Sequence, residues 1–330
     1  DQPRSRGLGD VYKRQLYDKV MSAKDNAWGP AHEIGHIHQL AIDWPSSTES
    51  SNNLFSNFIL YKLGKYCSRG TELNLPKAAD NRTTNSEGNI TGMTLSEAHC
   101  VLNRPWCNFG SNYQGENTEL HMRMNWQLWN YYHRCGHKTD FWQRLFKLMR
   151  ENRTSSNNPG VKQLLFARMA SEAAQEDLTE FFEIWGFFVT VDTQIDQYGS
   201  YQYTVTKEMI ENTKKAMAKY PKKAKPFYYL EDRKKGDIGL DTTPPDVGHY
   251  TQFQKIRPIT KDIKGNINGR EVSITNGDEA VAFELREKDA NGKLLYFSTF
   301  IKFEVPLTVS LTYAKLYAVQ ADGKRILLEE

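Results

Sequence analysis

The segment Pro30-Ala31-His32-Glu33-Ile34-Gly35-His36-Ile37-His38-Gln39 decides the prediction of the fold. Proline is favoured at the first position of a helix, so we predict a helix that begins at Pro30 and runs through Gln39. Residues four apart lie on the same face of a helix, so His32 and His36 present their rings side by side. The segment therefore predicts a helix whose two imidazoles can share one metal ion.

The two histidines and the intervening glutamate form a His-Glu-x-x-His pattern. Catalytic zinc sites use three protein ligands and leave a fourth position to water, so a third ligand must come from elsewhere in the chain. Glu33 directly follows the first histidine, where its carboxylate is suited to act as the general base on that water. The pattern favours a zinc-dependent hydrolase, and the alternative is a histidine pair with a purely structural role.

Glu49 is the candidate for the third ligand. A turn at Trp44-Pro45 and an N-cap among residues 46–48 predict a second helix that folds back against the first. Glu49 would then face the histidines, and Asn53, one turn further along, could orient a ligand through a hydrogen bond. A glutamate at the start of a helix can also simply complement the helix macrodipole, which is the alternative for Glu49.

Zinc hydrolases commonly use a further tyrosine or histidine to stabilise the oxyanion. The sequence does not rank the candidates, which are Tyr113, His121, Tyr131, Tyr132 and His133. His38 and Gln39 are predicted either to end the first helix near the cleft or to contact the substrate.

Composition and charge exclude several classes of protein. The chain has 330 residues, with 43 basic and 40 acidic side chains and a formal net charge of +3, so nucleic acid is not a predicted partner. No apolar run reaches the ~18 residues of a membrane span. The four cysteines form no metal-binding Cys-x-x-Cys pair. Cys100 and Cys107 could form a disulfide, and four free thiols are an equal alternative.

The pattern of apolar residues predicts an α+β chain with two domains. Residues 16–225 are predicted to be a mainly helical catalytic domain, residues 226–250 a linker, and residues 251–330 a small antiparallel β-sandwich-like domain. In the last of these, alternating apolar positions predict strands at 272–275, 280–285, 294–303 and 315–319. The dense aromatic residues between 120 and 150 are predicted to be core.

The first residues are predicted to be foreign to the protein. Residues 1–15 include Asp10-Val11-Tyr12-Lys13-Arg14-Gln15, which is the translation of a transposon end used in DNA-sequencing libraries. We therefore expect a gene truncated at its start, with any signal peptide lost.

Three parts of the chain together resemble the enhancin-like metallopeptidases. The first part runs from Ala31-His32-Glu33-Ile34-Gly35-His36 through Gln39 and Trp44 to Glu49 and Asn52-Asn53-Leu54-Phe55. The others are Met122-Arg123-Met124-Asn125-Trp126-Gln127-Leu128 and Leu178-Thr179-Glu180-Phe181-Phe182-Glu183-Ile184-Trp185-Gly186. The resemblance covers most of residues 16–190.

This resemblance implies a zincin-type (gluzincin) catalytic domain. It implies zinc held by His32, His36 and Glu49, with Glu33 as the general base, and cleavage of O-glycosylated proteins such as mucins. It also implies a secreted or cell-surface protein of gut bacteria. Because zincin domains generally place a β-sheet before the active-site helix, we expect an N-terminally truncated domain with weak or no activity. The oligomeric state is not indicated.

Two alternative functions remain open at this point. One is a general zinc peptidase without glycan dependence, and the other is a catalytically impaired fragment that binds mucin. Dependence of cleavage on a glycan separates the first from a glycoprotein-specific peptidase. An exposed aromatic patch on the β domain would favour the second.

Overall fold

The computed structural model describes residues 28–63, 106, 118–222, 258–298, 301–305, 307 and 309–328. Tyr113, the predicted linker and the cysteines at 67, 100 and 107 lie outside these residues. Within the described part of the chain, no helix has the length and apolar character needed to cross a membrane.

The N-terminal region, residues 28–222 where the structure describes them, is mainly helical, as predicted. Its helices are α1 (Trp28–His38), α2 (Thr48–Leu63), α3 (Thr118–Trp129), α4 (Phe141–Glu151), α5 (Pro159–Ala174), α6 (Thr179–Ile184) and α7 (Lys207–Met217). Helix α1 continues as a 3-10 turn, Gln39–Ala41, and α3 continues as a π-helical turn, Asn130–Arg134. Helix α1 begins two residues before the predicted start at Pro30.

A close approach of α1 to α2 sets the geometry of the candidate site. Gly35 is buried, and a Cβ added to it would lie 2.6 Å from the backbone oxygen of Asn52. Only glycine leaves room for this approach without a shift of one helix. The contact holds the first turns of α2 beside the two histidines of α1.

Aromatic side chains fill the core between the helices. Phe58 of α2 packs against the rings of Trp126, Trp129 and Trp142, with its ring centroid 4.5 Å from that of Trp129. All three tryptophans are buried. The aromatic residues between 120 and 150 therefore form core, as the sequence predicted.

A two-stranded hairpin that the sequence analysis did not predict lies between α6 and α7. It consists of β1 (Val191–Asp196) and β2 (Ser200–Val205), with Ile195 opposite Tyr201 in register. Asn158, which caps α5, donates from its side chain to Thr204 O at 2.9 Å and so attaches the hairpin to that helix. The turn between the strands comprises residues 197–199.

The C-terminal residues form two antiparallel sheets. One has the order β3 (Lys264–Asn268), β4 (Glu271–Thr275) and β7 (Lys302–Glu304). The other has the order β6 (Leu294–Ser298), β5 (Ala282–Glu287), β8 (Ala314–Val319) and β9 (Arg325–Leu327). The prediction of one strand over 294–303 is wrong, because β6 and β7 lie in different sheets.

The two sheets contribute to one hydrophobic core. Val272 and Phe303 come from the three-stranded sheet, whereas Leu285 and Leu316 come from the four-stranded sheet. The antiparallel β domain is confirmed, and its sandwich-like arrangement stays a prediction.

Candidate metal centre

Two histidines of α1 and one glutamate of α2 bring their donor atoms together. His32, His36 and Glu49 each offer one ligand atom, and these atoms all lie within 4.8 Å of one another. Glu49 Oε2 lies 3.4 Å from His32 Nε2 and 3.7 Å from His36 Nε2. All three side chains are partly buried. Two imidazole nitrogens and one carboxylate oxygen form a donor set that zinc binds.

Asn53 orients the ring of His32. Its Oδ1 atom lies 2.7 Å from His32 Nδ1, and an amide oxygen only accepts hydrogen bonds. Nδ1 must therefore carry the proton, which leaves the lone pair on Nε2, the nitrogen nearer Glu49. Asn53 is itself held by a hydrogen bond from its Nδ2 to Glu49 O at 2.9 Å. The ring of His32 is thus fixed in the tautomer that a metal requires.

Gln39 stands beside His36 in a comparable way. Gln39 is buried, its Nε2 lies 3.1 Å from His36 Nδ1, and its Oε1 accepts a hydrogen bond from Ser51 Oγ at 3.3 Å. Rotating the amide by 180° exchanges its oxygen and nitrogen, so that the oxygen would face Nδ1 and the nitrogen would donate to the Ser51 hydroxyl, and both contacts are satisfied in either orientation. In the rotated orientation Nδ1 of His36 carries the proton and Nε2 is free for a metal. Gln39 was predicted either to end the first helix near the cleft or to contact the substrate. In the structure its side chain contacts a candidate metal ligand.

Tyr198 contacts the third candidate ligand from a distant part of the chain. Its hydroxyl donates to Glu49 Oε1 at 2.6 Å, which leaves Oε2 directed at the histidines. Sequence reasoning missed this residue. The only local signal is a tyrosine before Gly199 in a hairpin turn, and nothing in that pattern indicates a partner 149 residues earlier.

Asn52 lies between the two rings. Its Nδ2 atom is 2.9 Å from Nε2 of His32 and 2.9 Å from Nε2 of His36. The side chain is fully buried, and within the described residues its Oδ1 atom accepts no hydrogen bond. The amide nitrogen of Asn52, which bears two polar hydrogens, is thus within hydrogen-bond distance of both Nε2 atoms. This nitrogen donates toward the two lone pairs that a metal would use, and Asn52 had no predicted role.

Glu33 is exposed on α1 directly after His32. Its carboxylate is therefore open to solvent, one residue along α1 from the first of the three donors.

His121, a candidate oxyanion donor, lies beneath the loop that leads to Glu49. It is fully buried, its ring stacks on Trp106 at a centroid distance of 3.6 Å, and its Nδ1 is 3.3 Å from Ser46 O. Its contacts support the loop between α1 and α2 and place it in the core.

Of the other described candidates, Tyr131 and Tyr132 lie within the helical core, and His133 is half-buried. Tyr131 and Tyr132 are buried, and burial raises the pKa of Tyr131. The Tyr132 hydroxyl donates to Glu176 at 3.2 Å, and His133 stacks on Trp129. The structure gives none of the three a contact with the donor cluster in the residues it describes.

Two family models match the chain. The model described as peptidase M60, enhancin and enhancin-like matches residues 11–186. The model described as the peptidase M60 C-terminal domain matches residues 262–327. The first range contains the three candidate ligands and Glu33, whereas the β1–β2 hairpin lies between the two ranges.

Solved metallopeptidases share both sequence and fold with the chain. A metallopeptidase from Bacteroides thetaiotaomicron is 56% identical, with a TM-score of 0.71, over 94% of this chain and 50% of the other. A metallopeptidase in complex with Tn antigen is also 56% identical, with a TM-score of 0.70, over 94% of this chain and 56% of the other. The chain thus spans about half the length of these structures.

A curated relative is more distant. The TRPM8 channel-associated factor homolog of Xenopus laevis is 27% identical over 185 residues, which are 53% of this chain and 17% of that protein.

Proposed function

We propose that this chain, which belongs to the peptidase M60, enhancin and enhancin-like family, carries the zinc site and general base of a peptidase that cleaves O-glycosylated proteins such as mucins. The convergence of His32, His36 and Glu49 on one point carries the proposal. We further propose a gluzincin-type catalytic domain and a secreted or cell-surface location.

The residues at the centre have complementary roles in peptide hydrolysis. Nε2 of each histidine and Oε2 of Glu49 would hold the metal, with Asn53 and Gln39 fixing the two rings. Bound there, zinc supplies a Lewis acid that polarises the scissile carbonyl and lowers the pKa of water. Glu33 takes the proton of the attacking water and passes it to the leaving amine.

The proposed substrate class rests on a relative. A metallopeptidase 56% identical to this chain was solved in complex with Tn antigen. At that identity, a similar glycan is a reasonable determinant of the substrate for this chain. A peptidase that needs a glycan would leave the same peptide uncut when the glycan is absent.

The test is a digest of a peptide that bears Tn antigen and of its deglycosylated twin, read by mass spectrometry. The chain is tested with zinc, after chelation, and as Glu33→Gln, which keeps the shape of the side chain but removes the base. Glu208→Gln, on the exposed surface of α7, is the matched control.

We expect any cleavage to be weak, zinc-dependent and confined to the glycosylated peptide, lost in Glu33→Gln and kept in Glu208→Gln. Cleavage of both peptides would replace the glycan-dependent function with that of a general zinc peptidase. Cleavage that survives Glu33→Gln would show that the assigned base is wrong. Zinc binding without cleavage of either peptide would refute peptidase activity of this chain by itself and leave the mucin-binding alternative open.

A further inference from the structure

Tyr198 occupies an unusual position for a tyrosine. It lies at the tip of the β1–β2 hairpin, is 75% exposed, and has a φ of +54°. Positive φ is costly for a bulky residue, and such backbone conformations concentrate at functional sites. A side chain so exposed gains little from burial. The position is therefore better explained by what its hydroxyl contacts than by packing.

The hydroxyl contacts the carboxylate of Glu49. Tyr198 Oη donates to Oε1 at 2.6 Å, while Oε2 is the oxygen that lies 3.4 Å and 3.7 Å from Nε2 of His32 and His36. The two carboxylate oxygens thus have separate partners. A hydrogen bond on Oε1 favours the rotamer of Glu49 in which Oε2 alone faces the histidines.

The residue before Tyr198 attaches the hairpin tip to the loop that leads to Glu49. Gln197 is buried, and its Oε1 accepts a hydrogen bond from Ser46 N at 2.6 Å. Ser46 itself has a φ of +87°, and its carbonyl oxygen lies 3.3 Å from His121 Nδ1. Gln197 and His121 therefore both contact the backbone of Ser46, just before α2. The contact from Gln197 fixes the tip of the hairpin relative to the loop that leads to Glu49.

We infer that Tyr198 is a positioning residue for the metal centre, which acts by holding Glu49 as a ligand through Oε2. This inference rests on the proposed zinc site and adds to it a residue that lies outside both ranges matched by the family models. Groups that orient metal ligands by hydrogen bonds typically contribute about 10- to 100-fold to metal affinity. The β1–β2 hairpin would then help to hold a metal ligand in place.

Zinc affinity, measured by competition with a chromophoric chelator, tests the inference. Tyr198→Phe removes only the hydroxyl, and Tyr198→Asn places at this position a residue that tolerates positive φ. Tyr313→Phe is the matched control, because Tyr313 is a 64% exposed tyrosine of the β domain. We expect both Tyr198 variants to bind zinc about 10-fold more weakly or worse, with Tyr313→Phe unchanged.

Two further readouts separate positioning from general stability. The melting temperature of the metal-free protein should be the same for Tyr198→Phe and the original chain. The visible absorption of the cobalt(II)-loaded protein should change in Tyr198→Phe, because it reports ligand geometry, and should not change in Tyr313→Phe.

Affinity of Tyr198→Phe within twofold of the original chain, together with an unchanged cobalt spectrum, would overturn the inference and leave the zinc site intact. If neither the original chain nor Tyr313→Phe binds zinc, the proposed metal centre is wrong, and the role of Tyr198 falls with it.

Discussion

The Oδ1 atom of Asn53 lies 2.7 Å from Nδ1 of His32, and this contact joins the second helix to the first ligand of the candidate metal centre. Because an amide oxygen cannot donate, the contact fixes both the tautomer and the rotation of the imidazole. The same asparagine donates to Glu49 O, so it connects two of the three ligands.

Asn53→Leu should weaken zinc binding by about 10-fold or more, since the ring of His32 loses the acceptor that orients it. Asn53→Asp should keep most of the affinity, because a carboxylate oxygen also accepts from Nδ1. Equilibrium competition with a chelator measures both variants. Asn266→Leu, at an exposed position of β3, is the control. An affinity of Asn53→Leu equal to that of Asn266→Leu would contradict the assigned role.

Gln39→Met should likewise weaken zinc binding, because methionine keeps the volume of the buried side chain but lacks the amide oxygen that, in the rotated orientation, accepts from His36 Nδ1. Gln39→Glu should bind zinc at least as well as the original chain, since its carboxylate accepts from the same nitrogen. Long-range nitrogen–proton NMR on the metal-free protein provides a second measurement. We expect the proton of His36 to be on Nδ1 in the original chain and to move in part to Nε2 in Gln39→Met. The same tautomer in both proteins would refute this function of Gln39.

The sequence predicted those parts of the site that depend on short spacing. His32 and His36 lie one turn apart, and Glu49 and Asn53 lie one turn apart on the next helix. Helical periodicity, together with the short turn at Trp44-Pro45, therefore brought the four residues into one prediction. Tyr198 could not be found in this way, because only the three-dimensional fold brings it to Glu49.

The strand β1 was missed and the single strand predicted over 294–303 is wrong, for different physical reasons. In β1, the side chains of Asp192, Thr193 and Gln194 are all exposed, so the alternation that predicts a half-buried strand is missing. Between Leu294 and Phe303 the apolar pattern is suitable for a strand throughout, yet the chain passes from one sheet to the other. Sequence pattern reports which residues are buried, and it does not report against which sheet they pack.

A buried ion-pair cluster in the β domain provides a prediction on stability alone. Glu284 is fully buried, and both Arg286 and Arg325 contact its carboxylate, with Arg325 Nη2 at 3.0 Å from Oε1. Glu284→Gln should destabilise the β domain by about 3–5 kcal/mol, because it leaves two guanidinium groups without a buried counter-charge.

Urea unfolding followed by intrinsic fluorescence measures this change, and zinc affinity should stay the same. Glu271→Gln, exposed on β4, is the control and should change stability by less than about 0.5 kcal/mol. Equal stability of the two variants would show that the cluster contributes little.

The close approach of α1 and α2 at Gly35 leads to a prediction that couples stability to the metal centre. A Cβ on Gly35 would lie 2.6 Å from Asn52 O, which is backbone and cannot rotate away, so Gly35→Ala must push the helices apart. Overpacking of this kind costs about 1–3 kcal/mol. The separation would also move Glu49 and Asn53 away from the histidines, so zinc affinity should fall along with the melting temperature. Gly29→Ala is the control on the same helix, because a Cβ there meets nothing within 4 Å. If Gly35→Ala loses stability but binds zinc as Gly29→Ala does, then the ligands do not depend on this helix contact for their arrangement.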